Sequence, residues 1–441
     1  MANVTPFKAL RYSSDAIGVP LCSVVAPPYD VISIEDQDAL YRLSPHNVIR
    51  LILGRQYDGD GPDDNRYTRA SKTLSDWVTD GVLTEDDAAC FYIYEQQFEV
   101  QSGSLIKRYT RRGVLAALKL EPFGEGAVFP HEETFSSHKA DRLMLIRACR
   151  ANLSPIFGLL PDADGGICKL LAERVASTRP TEEVTETSGV INRMWAVSDP
   201  DFCAQLTAAC ALEKVFIADG HHRYETACTY SRERHANDSR PGAPLPRGYD
   251  FALMMCVPMS DPGLHILPTH RMVTAPNSFH AADFLGRVSK LFDTQSASDS
   301  ELTALAEEEG GVPRYGLVLA DGEKRILTAK PIVERAMEEV AGKHSSDWRS
   351  LDVAVLHELI LKKILGLGDA NSEHKHNVTY TKDAHEVLTT LSGKSAFHLG
   401  ILMRPTRIDQ VVSVSEHGEK MPQKSTYFYP KLLSGLVIRK V

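Results

Sequence analysis

Residues Lys214 to Tyr230 read KVFIADGHHRYETACTY. Val215-Phe216-Ile217-Ala218 is an apolar run of strand type, and Asp219-Gly220 breaks it. From His221 onward Tyr224, Ala227, Cys228 and Ser231 recur three or four residues apart, which predicts a helix with one face laid on a sheet. Asp219 to Arg223 is therefore expected to form a strand-to-helix elbow. At such an elbow the first helical N–H groups have no intrahelical partner and the helix dipole is positive, so an anion is favoured there. Gly220 lets the chain pass close to that anion, His221 and His222 add donors, and Arg223 can grip a phosphate or carboxylate through two parallel hydrogen bonds. Asp219 is the odd member: a carboxylate beside a phosphate is repelled unless it holds a metal ion, orients a histidine or abstracts a proton. The competing reading makes Asp219 a helix cap and the histidines a solvated first turn. Cations at a helix N-terminus oppose the dipole, which favours the anion site.

The whole chain bounds the answer. Its 441 residues, 43% hydrophobic and 24% charged, are enough for two or three domains with a sizeable core. A formal charge of −9 and a pI near 6.0 argue against a protein that wraps a nucleic-acid backbone, so the expected partner is a small molecule. The eight cysteines form no CxxC pair and read as buried thiols of a reducing compartment. The start MANVTPFKALRYSSD lacks a basic segment followed by an apolar core, and no run approaches the length of a membrane span. The expected location is the cytoplasm.

In chain order, VVAPPYDVI (Val24 to Ile32) forces an extended entry into a turn at Tyr29-Asp30, with a helix starting at Ser33 or Glu35. HNVIRLILG, His46 to Gly54, reads as a strand. Ala70, Leu74, Trp77 and Val78 mark a helix, and Phe91 to Val100 with Ile106 to Leu118 a hairpin joined by Gln101-Ser102-Gly103-Ser104. A second dense patch, FPHEETFSSHKADR from Phe129 to Arg142, sets His131, Glu132, Glu133, Lys139, Asp141 and Arg142 beside buried segments. It is not an HExxH zinc motif, because Phe135 follows HEET. LHILPTHRM, Leu264 to Met272, places His270 and Arg271 after an apolar run. Tyr315 to Ala329 reads as a hairpin and Leu351 to Leu367 as an apolar helix. QKSTYFYPKLLSGLVIR, Gln423 to Arg439, offers Lys424, Ser425 and Thr426 as phosphate donors, with Lys431 just beyond. The GxxxxGK[ST] and GxGxxG motifs are both absent.

These elements predict an α+β protein with a mixed sheet. Residues 1–245 are expected to carry the elbow and residues 246–441 to form a second α+β portion closing the cleft, with the turn-rich connector Ala236 to Gly248 between them.

The combination VAPPYDVI, FPHEET with KADRL, SPIFGL, FIADGHHRYETA, ILPTHR and KSTYFYPKLLSGLV resembles, over nearly the full length, a widespread bacterial and archaeal family, domain of unknown function 1015. Its DGHHR element is similar to the phosphate-binding motif of the ParB/sulfiredoxin superfamily, and most like that of the superfamily's free-serine kinases. That similarity implies that Gly220, His221, His222 and Arg223 bind nucleotide phosphates, with Asp219 in the same loop. It leaves the acceptor open, since ParB-type proteins are nucleotide-switched DNA clamps, sulfiredoxins phosphorylate a sulfinic acid and the serine kinases a free amino acid. The cysteine of the sulfiredoxin motif is missing here, which disfavours sulfinic-acid repair.

The expected chemistry is a Mg²⁺-assisted transfer of a phosphoryl group from ATP or ADP to the hydroxyl of a small molecule, free serine being the leading acceptor. Glu132 or Asp30 is the candidate base, with Asp219 a further catalytic candidate. His131, Arg142, His270, Arg271 and Lys424 are the candidates to hold the substrate, and no residue is assigned as a metal ligand. The alternatives are a nucleotide-binding regulatory or DNA-associated ParB-like protein without turnover, and a phosphatase.

Overall fold

The computed structural model describes residues 2–102, 105–134, 136–238, 246–276, 278–368, 377–393 and 396–441. Its centre is the hairpin of Phe91–Ser102 and Leu105–Lys119, paired antiparallel along its length. The expected turn residues Gly103 and Ser104 lie outside the described residues. Around the hairpin a nine-stranded mixed sheet runs in the order Val128–Phe129, Val215–Asp219, Ile156–Leu160, Phe251–Pro258, Leu105–Lys119, Phe91–Ser102, Ile191–Val197, Glu182–Thr185, and Val4–Thr5 also pairs with Leu105–Lys119. The elbow strand Val215–Asp219 lies parallel to Val128–Phe129 and antiparallel to Ile156–Leu160. This pairing sets the FPHEET segment beside the elbow.

The elbow strand is apolar on both faces because both are covered. Val215 and Ile217 pack with Ile167, Leu171, Phe202, Leu206 and Tyr224 from the helices Gly166–Ala176, Pro200–Cys210 and His221–Asn237. Phe216 and Ala218 point the other way, into a cluster with Phe428, Leu432, Leu433, Leu436 and Val437. The chain's last stretch therefore roofs the second face of the first sheet. It continues through bridges from Ser434 to Ala26 and from Ile438 to Leu10, and Arg439–Lys440 pairs with Ala151–Asn152.

A buried polar network fastens this roof. The guanidinium of Arg111, fully buried on the hairpin, donates to the carbonyls of Tyr429 (3.1 Å) and Pro430 (2.5 Å) and to the side-chain oxygen of Gln96. Gln96 in turn donates to the Lys431 carbonyl (3.0 Å) and to Asn192 Oδ1 (3.1 Å), which also accepts from the Tyr94 hydroxyl (2.6 Å). Burial lowers the Arg111 pKa to about 10, so the group is charged at neutral pH, its Nη groups donating to dipoles of the tail and of Gln96.

The second sheet runs Phe292–Ser296, Lys324–Ala329, Arg314–Leu319, Leu399–Leu402, His270–Val273, Val378–Thr381. Its core joins Tyr315, Leu317 and Ile401 to the helix Ile332–Ala341 and to the helical run from Asp352 to Ile364, which passes from α-helix to π-helix at Leu356. The chain changes sheet after Pro258 and not at residue 245, because Phe251–Pro258 pairs with Leu105–Lys119 inside the first sheet. The two-part division at 245 is corrected accordingly, and the tail from Tyr427 returns to the first body. Residues 239–245 of the expected connector lie outside the described residues.

His46 to Gly54 holds a helical turn, Ile49–Ile52, where a strand was expected. Asn47 is the reason: its side chain accepts from the Ile49 N–H (2.9 Å) and donates to the Ser23 and Val25 carbonyls, so a local side-chain bond starts the turn. Ser33 caps Ile34–Leu43 as expected. Among the described residues no helix is long and apolar enough to cross a membrane.

Arg111→Met keeps the bulk but removes every donor to the tail, leaving two carbonyls and a buried amide oxygen unpaired. The unfolding free energy should fall by about 2–4 kcal/mol, read as a lower urea midpoint at constant slope. A variant as stable as the parent would show that the roof is held by apolar contact alone.

Candidate functional site

The elbow forms where expected. Gly220 takes the left-handed conformation (φ 90°) between the strand and the helix His221–Asn237, and a Cβ there would stand 2.9 Å from Arg223 Nε. Glycine thus makes the turn and leaves room for Arg223 to fold back over it. No side chain caps the helix. The Asp219 carboxylate accepts from the Gly220 N–H (2.9 Å), one residue short of the helix, and so does not cap it. The capping reading of Asp219 is not what the chain does.

Asp219 serves two cations instead. Lys431 Nζ lies 3.2 Å from Asp219 Oδ2 and 4.5 Å above the Tyr427 ring, and Arg223 Nη2 lies 3.6 Å from the same oxygen. Burial alone would raise the Asp219 carboxyl, but Lys431 and Arg223 outweigh it and hold it well below the ordinary carboxylate range. For Lys431, burial pulls the ammonium down while Asp219, and behind it Asp30, raise it, so it stays charged. Arg223 also donates to the Pro155 carbonyl. Two cations share one carboxylate, which leaves positive charge beside the uncapped helix end. The sequence reading notes Lys431 just beyond the phosphate-donor candidates but assigns it no role, although its place in a tyrosine-rich, otherwise buried tail was the available signal.

The histidines differ from expectation. His131 is buried with both ring nitrogens engaged, Nδ1 on the Ile217 carbonyl (2.7 Å) and Nε2 on the Thr426 hydroxyl (3.0 Å). It ties the elbow strand to the tail and is not free to bind a substrate, which corrects the sequence assignment. The His131 N–H donates to His221 Nε2 (3.2 Å), so the His221 proton belongs on Nδ1, which faces Glu132 Oε2 at 3.8 Å. Burial, followed by the neighbouring His131, drives the His221 pKa well below the usual histidine value. Burial also lowers His131 to about 4, and burial with His138 nearby lowers His222 to about 4. At neutral pH the elbow histidines are therefore uncharged, and the positive charge of the site comes from Arg223 and Lys431.

Glu132 is the half-buried carboxylate at the centre of the FPHEET segment. It pairs as an isolated bridge with Met421, and its Oε1 lies 3.4 Å from the Lys424 N–H. Burial raises its pKa, against the pull of Lys424, which moves it towards the range of a general base. Asp30 is exposed on the turn Tyr29–Val31, and its charge reaches Lys431, His222 and Tyr427. The structure thus gathers Asp30, Glu132, Asp219, the elbow and Lys424 around one site.

Two assigned substrate residues stand elsewhere. Arg142 is buried behind the elbow, donating to the Ile52 carbonyl (2.7 Å) and to Asp141 and lying 3.9 Å over the Tyr29 ring. His270 is buried on the second sheet, where its Nδ1 accepts from the Met403 N–H (3.0 Å). Both are engaged in internal bonds. Arg271, its neighbour in sequence, lines a cleft of about 680 Å³ that Glu133, Thr134 and His138 line from the first body.

The chain belongs to the family described as protein of unknown function (DUF1015), whose sequence profile matches residues 4–354. No curated protein matches it. Among solved structures it is similar to a free serine kinase mutant in complex with ADP, at 10% identity over 68% of this chain and 84% of that one, with a TM-score of 0.34. It is also similar to SbnI with a C-terminal truncation from Staphylococcus aureus, at 11% identity over 70% and 83% with a TM-score of 0.31. A conserved hypothetical protein from Pyrococcus furiosus gives 11%, 68%, 87% and 0.32. At this level of superposition the likeness transfers no residue and no activity.

The buried neutral histidines set a pH dependence. A folded pKa near 4 against about 6.5 unfolded means that the unfolded chain binds protons first on acidification. This stability is complete above about pH 6.5 and is lost as pH falls towards 4. Urea midpoints should drop across that window, and in His270→Asn the slope should be shallower by up to about 1.4 kcal/mol per pH unit. Equal slopes in parent and variant would mean that His270 is protonated in the folded state.

Proposed function

We propose that the protein transfers a phosphoryl group from ATP or ADP to the hydroxyl of a small metabolite, free serine being the leading acceptor. One observation carries the reading: an uncapped helix N-terminus, flanked by Arg223 and Lys431, beside a half-buried Glu132 that has no cationic side chain within ion-pair distance among the described residues. The motif resemblance to free-serine kinases supports the same assignment.

In this reading the N–H groups of residues 221–223 receive the phosphate oxygens, and Arg223 and Lys431 turn from Asp219 to the developing charge. Such groups are prepaid in geometry, since the tail network fixes Lys431 before any ligand arrives. Glu132 takes the acceptor hydroxyl proton. Its raised pKa suits that task, and the His221 imidazole, locked by the His131 N–H, steadies it through Nδ1. Among the described residues no group of three His, Cys, Asp or Glu side chains could hold a metal by itself. Asp219 and Asp30 are the carboxylates that would hold a Mg²⁺ ion arriving with the nucleotide. Bound there, the ion would neutralise charge on the transferred group.

Nucleotide affinity and turnover, measured with a panel of hydroxy amino acids and sugars, test the proposal. Arg223→Ala and Lys431→Met should each weaken nucleotide binding by about 1.5–3 kcal/mol. Arg223→Lys should restore it only in part. Glu132→Gln should lower kcat by roughly 10² to 10⁴ at unchanged nucleotide affinity, with Asp30→Asn as the comparison. If Asp30→Asn alone abolishes turnover, the base is Asp30. Nucleotide binding without turnover on any acceptor would leave a nucleotide-responsive binding protein in place of a kinase.

A further inference from the structure

The cleft beside the elbow holds a buried cation, Arg271, that no described carboxylate pairs with. Arg271 is 3% exposed, and among the described residues its guanidinium donates to the carbonyls of Thr269 and Lys424 (3.1 Å to the latter), with the Tyr380 ring 5.4 Å away. No described carboxylate lies within ion-pair distance of it. A buried cation without a counter-charge is costly, and the cost is met when an anion binds. Thr269 Oγ1 beside it is buried without a hydrogen-bond partner. Lys343 and Lys420 add two cations to the cleft wall, neither in an ion pair among the described residues, whereas Glu358 is neutralised by Lys362 at 2.9 Å.

One residue links this cation to the proposed base. The Lys424 N–H faces Glu132 Oε1 at 3.4 Å and the Lys424 carbonyl accepts from Arg271 Nη2, so the backbone of a single residue separates carboxylate from guanidinium. Lys424 takes a positive φ of 55° to do so. A molecule with an anionic group on Arg271 would bring a neighbouring hydroxyl towards Glu132. At about 680 Å³ the cleft also has the volume of sites that enclose ligands well beyond the size of an amino acid.

We propose that this cleft binds a hydroxylated polyanionic metabolite larger than a free amino acid, with a carboxylate or phosphate on Arg271 and further negative charge on Lys343 and Lys420. This binding is separate from turnover and needs no nucleotide, so its failure and that of the kinase reading are distinguishable.

Titration calorimetry on the full chain without nucleotide, at fixed ionic strength, tests it with citrate, inorganic phosphate and serine as probes. Citrate should bind saturably and more tightly than serine, and Arg271→Met should weaken it about tenfold or more. Because Arg271 is buried and its loss can disturb folding, the double variant Lys343→Glu/Lys420→Glu provides the second arm and should weaken citrate by a similar factor. Citrate weakened by these variants but phosphate not would assign a carboxylate ligand, and the reverse a phosphate ligand; either supports the cleft. Absence of saturable binding by both anions, or binding unchanged in both variants, would overturn the proposal. So would anion binding that only Arg223→Ala removes, which would belong to the elbow.

Discussion

Everything at the site depends on how the tail is held to the first sheet. The strand Val215–Asp219 is apolar on two faces, and Phe428, Leu432, Leu433, Leu436 and Val437 pack in the cluster on one of them from the far end of the chain. Apolar contact alone would leave the tail free to slide. The Arg111 guanidinium removes that freedom, because its donors must reach the carbonyls of Tyr429 and Pro430 or remain unpaired in the interior. With these carbonyls pinned, and the Lys431 carbonyl held by Gln96, the Lys431 side chain has one course, over Tyr427 to Asp219. A fold-stabilising network and a cation at the elbow are thus the same structural event.

The second organising feature is the neutral imidazole chain. Two adjacent histidines before an arginine suggest a cluster of positive charge, yet burial makes protonation expensive and each ring finds a neutral role. His131 joins the elbow strand to the tail through the Ile217 carbonyl and the Thr426 hydroxyl. His221 accepts the next N–H along and presents its Nδ1 to Glu132. The histidines therefore set position and hydrogen-bond direction, while charge is delegated to Arg223 and Lys431, which Asp219 holds. This division explains why a carboxylate belongs in a loop built to receive anions. Without a ligand, Asp219 holds the two cations in place; with one, they have a stronger partner to turn to.

Much of this was legible before any coordinates. The elbow, its left-handed glycine, the long hairpin, the capped helix after Ser33 and the closeness of FPHEET to a buried strand follow from local patterning, which acts within a few residues. Glu132 and Lys424, nearly three hundred residues apart, were both singled out by charge beside apolar runs, and they meet through a backbone N–H. The misreadings share a cause. Arg142 and His270 carry the same chemistry as Arg223 and Arg271, and only the packing around them decides whether a polar group faces a cleft or an interior carbonyl.

The sequence by itself determined that residues 214–230 turn from strand to helix at Gly220, because backbone conformation and periodicity are local properties. It also determined the family. Tertiary structure alone decided which cations serve that turn, which histidines are neutral and where the bodies divide. Those outcomes rest on burial and on contacts between distant segments: a pKa, a counter-charge or a satisfied carbonyl belongs to a place in the fold and not to a residue type.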